Sequence, residues 1–166
     1  MYGHDWRVVP PLAWLGLLAE REVAAELQTM PAPNGAEPLI VLSRPEFEAA
    51  LRDALHNFSH PDVLYANSLL RSRVVVERTG AHAAASERVV ALKSLITEAI
   101  QSLQASPREA KCYRALQHTY LHPAPSQEQA AELLDVPFST FRRHLTTGIT
   151  RVVDILWQWE IGGLPK

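Results

Sequence analysis

Phe141, Leu145, Ile149, Val152 and Leu156 recur at spacings of four, four, three and four residues. A strand alternates its faces every two residues and a helix every 3.6, so this run reads as the buried flank of one helix. Its other flank must then carry Ser139, Thr140, Arg142, Arg143, Thr146 and Thr147. No acidic residue falls between Asp135 and Asp154, whereas Arg142, Arg143 and Arg151 all lie there. A solvated helix face of this length usually mixes in carboxylates for ion pairs. The whole chain has a net charge of -2, so any attraction to a polyanion must come from this local basic window.

Two further helices precede that one. The first is predicted from about Pro107 to Leu121, with Ala110, Tyr113, Leu116, Gln117 and Tyr120 at core spacing and His122, Pro123 and Pro125 ending it. The second starts at Ser126, whose hydroxyl can accept from the third helical N–H while Gln129 answers back. Ala130, Leu133 and Leu134 form its apolar side. Asp135-Val136-Pro137 then makes a tight turn into the helix that begins near Ser139. The turn needs a left-handed residue, and Asp135 tolerates that conformation better than most. Val136 is placed to plug the corner between the helices.

The segment Ser126–Leu145, with its Gln127-Glu128-Gln129-Ala130-Ala131 start and its Ser139-Thr140-Phe141-Arg142-Arg143-His144-Leu145 end, resembles the helix-turn-helix in the fourth region of bacterial sigma factors. It is also similar to the output domains of LuxR-type regulators. The likeness covers about a third of the chain, and in those families the second helix of the pair reads the major groove. By position it implies DNA contacts from Ser139, Thr140, Arg142 and Arg143, and a phosphate contact from Gln127. Thr146, Thr147 and Arg151 extend the same face. The sequence departs from the pattern at Asp135, where glycine is usual, and at Pro137-Phe138, where polar residues are usual. Phe138 reads poorly as a base contact and can instead mark a protein contact. The string PFSTFRRHL, preceded by Tyr113–Leu116 and followed by Leu156-Trp157 and Glu160, resembles the C-terminal end of large multidomain bacterial ATP-binding regulators. Asn67–Val75 is similar to a stretch upstream in the same proteins. That likeness implies attachment to an upstream ATP-binding domain, although this chain carries no phosphate-binding glycine loop of its own.

The rest of the chain reads as helices. Leu12, Leu15, Leu18, Ala19, Val23 and Leu27 recur at helical spacing, and Met30–Pro38 is punctuated as a loop. Leu39–Leu42 is a short strand or an extended lead-in. Pro45, Glu46 and Glu48 open a helix with Phe47, Leu51, Ala54, Leu55 and Phe58 inward, closed by His60-Pro61. Asn67 caps a helix through Leu69, Leu70, Val74 and Val75 that stops at Gly80. Ser86 caps another with Val89, Leu92, Leu95, Ile96, Ala99, Ile100 and Leu103 on one side. Trp157 and Trp159 lie two apart, so one of them is expected at the surface or in an interface.

Composition excludes several classes. A single cysteine, Cys112, rules out a disulfide within the chain and leaves no thiolate zinc site. No apolar run approaches the roughly 18 residues of a membrane helix. No secretory leader is legible before Glu20, so the expected location is the cytoplasm. No nucleophile elbow or metal motif frames the Ser, His and Asp residues, and neither an enzyme nor a cofactor is expected. The reading is therefore all-α: an accessory, dimerisation or docking region over 1–105, then a wingless tri- or tetra-helical helix-turn-helix over 106–166. The expected partner is duplex DNA, alongside homodimer formation or the upstream domain. The alternative is a protein–protein module anchored by Phe138 and a tryptophan.

Overall fold

The computed structural model describes residues 38–165. The helix expected over 11–27, and nearly all of the loop before Pro38, lie outside the described residues. The described residues belong to one compact unit. Every regular element among the described residues is helical, in keeping with an all-α chain, and none is long and apolar enough to cross a membrane. Leu39–Leu42 is extended rather than a strand, and the Ile40 N–H donates to the Arg71 carbonyl at 2.9 Å.

Helix α1 (Arg44–His56) starts where the charge pattern places it. The Glu46 carboxylate accepts from the Ser43 hydroxyl at 2.6 Å and the Ser43 N–H at 2.8 Å, which together hold it below the usual carboxylate range. Phe47, Leu51, Ala54 and Leu55 are buried, as their spacing predicts. A short helix α2 (Pro61–Leu64) follows, with Pro61 in its first turn, where a missing N–H costs nothing. Asn67 is buried and fully engaged: its Oδ1 accepts from Leu69 N, and its Nδ2 donates to Ala50 O and Asp53 Oδ2.

The single helix expected beyond Asn67 is instead two pieces. A 3₁₀ turn (Ser68–Arg71) precedes α3 (Arg73–Thr79), and Ser72 between them is extended, at φ -72° and ψ 156°. The Ser72 hydroxyl donates back to Leu69 O at 2.7 Å, so it caps the turn it leaves and not the helix it enters. Gly80, at φ 95°, ends α3 as expected. Helix α4 (Ala85–Ser102) begins after Ala84 and not after Ser86; Glu87 accepts from the Ala84 N–H at 3.1 Å and supplies the cap. Its predicted inward residues, from Val89 to Ile100, are all buried.

Helix α5 (Ala110–Leu116) loosens into a π turn over Gln117–Leu121, where His122 N–H reaches Gln117 O at 2.8 Å. Helix α6 (Gln127–Leu133) follows, then α7 (Phe138–Gly162). Helix α7 is 25 residues long, about 37 Å at 1.5 Å per residue, and no further helix follows it among the described residues. Its first half packs on α5 and α6, and its second half on α1, α3 and α4. The boundary expected at 105/106 therefore runs through a shared core: Leu95, Ile100, Leu116, Phe141 and Val152 belong to one buried cluster.

Two features fix α7 in place. Gly148 is buried against α5, and a Cβ built there would meet Leu116 Cδ1 at 2.9 Å and Cys112 Cβ at 3.3 Å. A side chain there would force Leu116 to shift. At the far end, Glu160, 8% exposed, accepts from Arg73 N at 3.0 Å and Val74 N at 2.8 Å. One helix thus caps the N-terminus of another, replacing the cap that Ser72 does not give. Trp157 meets Phe47 edge-on at 5.3 Å, Trp159 also packs on the core, and both are half-buried.

Candidate nucleic-acid interface

The connection from α6 to α7 is built from local chemistry. Ser126 Oγ accepts from Gln129 N at 3.2 Å, half of the expected capping box. Helix α6 stops at Leu133, leaving Leu134 outside it, and the chain reverses through Asp135 at φ 52°. Among the described residues, Asp135 alone takes a positive φ without being glycine, which is the conformation the turn requires of it. The Asp135 and Val136 amides donate to Glu132 O and Ala131 O, so the turn leaves no backbone donor there unmet. Val136 is half-buried against the core and fills the corner.

Helix α7 then starts at Phe138, one residue before the predicted Ser139. Phe141, Leu145, Val152 and Leu156 are buried as predicted; Ile149 is only half-buried, and Gly148 and Val153 complete the inward face. Ser139, Arg142, Arg143, Thr146 and Thr147 are exposed, and Thr140 is half-buried on one flank. Among the described residues, neither Arg142 nor Arg143 forms an ion pair. The Arg142 guanidinium lies 6.0 Å from the centre of the Phe138 ring, which steadies it without neutralising it. Gln127 is exposed at the start of α6.

Two predicted contacts are differently placed. Arg151 is exposed, but its Nε donates to Glu109 Oε1 at 2.7 Å, so its charge is already matched by a carboxylate on the approach to α5. The Thr146 hydroxyl donates to the Arg142 carbonyl at 2.9 Å and offers only lone pairs outward. An anionic oxygen needs a donor, which leaves Thr146 unsuited to a phosphate in this rotamer. Arg73 and Arg78 pair with Glu77 and Glu98 and do not widen the basic face.

A second set of cations, beside α7, escapes the sequence pattern. Lys111 and Arg114, three apart on the outer face of α5, line a cleft of about 320 Å³ with Thr140, Arg143 and His144. The i,i+3 spacing of Lys111 and Arg114 is legible in the sequence, but the helix they face is not. Burial first, then the charges of Lys111 and Arg143, hold the His144 imidazole below its usual value. The Cys112 thiol nearby is buried and pushed up, chiefly by desolvation. Comparison of the chain with protein-family models, with curated proteins and with solved structures found no match.

Proposed function

We propose that α5, α6 and the first half of α7 form a helix-turn-helix that binds duplex DNA, and that the chain serves as a transcriptional regulator or as the DNA-binding portion of one. One observation carries the proposal: the outward face of α7 between Ser139 and Thr147 presents two guanidinium groups and several hydroxyls, with no carboxylate among them. Arginine can donate two bonds to a guanine edge or clamp a phosphate, and serine and threonine serve either surface. The N-terminal turns of a second helix after a tight turn are where such a fold meets the major groove. Helices α1, α3 and α4 brace α7 from behind.

The test is a duplex titration at several salt concentrations with Arg142→Ala/Arg143→Ala. Removing one phosphate interaction should lower the slope of log K against log salt by about 0.9. A variant with the parental slope and affinity would refute the proposal. A second reading has its own observation: Phe138 is 39% exposed and Leu133 67% exposed, an apolar pair flanking the turn. If that pair is a protein dock, Phe138→Ala abolishes partner binding and the arginine variant leaves it intact.

A further inference from the structure

We infer that the cleft between α5 and α7 is a seat for one phosphate group, supplied by the backbone of the duplex that α7 engages. The inference rests on the DNA-binding reading but names a site that reading does not contain. The walls come from two helices: Lys111 and Arg114 on α5, and Thr140, Arg143 and His144 on α7. The apolar pair Leu134 and Val136 from the turn completes the lining. Among the described residues, Lys111, Arg114 and Arg143 form no ion pair, so three positive charges converge without a counter-charge. The carboxylate closest in sequence to Lys111, Glu109, is turned to Arg151.

Like charges held around a concavity repel one another. His144 registers this: burial first, and the neighbouring cations second, depress its proton affinity. An anion in the cleft offsets the repulsion. The donors come from two helices and include ammonium, guanidinium, imidazole and hydroxyl groups, a set that suits the several oxygens of a phosphate. Position supplies the source. Thr140 and Arg143 belong both to the cleft and to the proposed reading face, so the cleft opens along one edge of α7. When a helix lies in the major groove, a phosphate strand runs along that edge and sets register without reading sequence.

The experiment uses the full chain and the double variant Lys111→Gln/Arg114→Gln, both exposed positions whose replacement leaves the core intact. Anisotropy titrations with mixed-sequence duplexes run from about 50 to 200 mM salt. The expected result is weaker binding to every duplex alike and a salt slope lower by about one. A parental protein that binds duplex while the double variant keeps its slope overturns the seat and leaves the DNA reading standing. If the parental protein binds no duplex, the DNA reading fails, and the seat is then tested alone with inorganic pyrophosphate. The readout is the His144 ring resonance, assigned by its disappearance in His144→Gln. A rise in the His144 pKa that Lys111→Gln/Arg114→Gln removes supports a seat fed by a free phosphate. No change overturns the seat outright.

Discussion

Replacing Glu160 with alanine tests whether one end of α7 caps α3. The carboxylate is nearly buried and accepts from two backbone N–H groups, those of Arg73 and Val74, at 3.0 and 2.8 Å. Each bond to a charged acceptor contributes about 1.5–3 kcal/mol, and a buried donor left unmet costs about 1–3 kcal/mol. Water reaches part of the gap left by a side chain at the end of a helix, so the two together give about 2–4 kcal/mol. Removal of the favourable charge at the α3 N-terminus is contained in that figure. Urea unfolding followed by circular dichroism should therefore show a clear fall in midpoint with an unchanged m-value. Glu160→Gln keeps one good acceptor and should lose about half as much. A Glu160→Ala stability within about 0.5 kcal/mol of the parent, the range of ordinary surface changes, would refute the capping argument.

Gly148→Ala should destabilise by about 1 kcal/mol in the same assay. Overpacking against Leu116 and Cys112 costs roughly 1–3 kcal/mol and the better helix propensity of alanine returns about 1 kcal/mol. A net gain in stability would show that α5 and α7 do not approach so closely. Asp135→Gly should be neutral or stabilising by up to about 1 kcal/mol because φ is 52° there, whereas Asp135→Val should cost at least about 1 kcal/mol. Equal effects from the two would place Asp135 in an ordinary conformation. Lowering pH from about 7 through the His144 range should cost a small amount of stability. With the folded pKa depressed, the unfolded state binds the proton more readily, so stability present above the unfolded value is lost as pH falls. His144→Gln should flatten that part of the profile, and an unaltered profile would contradict the assignment.

Local chemistry is legible in the chain and long-range pairing is not. The start of α1 at Pro45 and Glu46, the left-handed turn at Asp135, the stop at Gly80 and the inward residues of α1 and α4 all depend on neighbours within a few residues. Periodicity and turn chemistry report such features directly. The break at Ser72 has a different origin: its hydroxyl turns back to Leu69 while a glutamate from the far end of the chain supplies the cap it leaves vacant. No pattern around Ser72 contains that partner. Arg151 reads in sequence as part of a free basic face because Glu109, which neutralises it, lies on another element. Periodicity is silent on Gly148, whose missing side chain lets α5 and α7 touch. The cleft is hidden for the same reason: Lys111 and Arg114 acquire a meaning only when α5 is laid beside Arg143 and His144.

The central claim is that the outward half of α7 meets a duplex. The most direct measurement is an amide chemical-shift map of the labelled chain as duplex DNA is added. The signals expected to move belong to Ser139, Thr140, Arg142, Arg143 and Thr147, with Gln127 and the α5 edge beside them, while α1 and α3 stay still. Movement confined to the apolar positions around Leu133 and Phe138, or no movement at any duplex concentration, would contradict it.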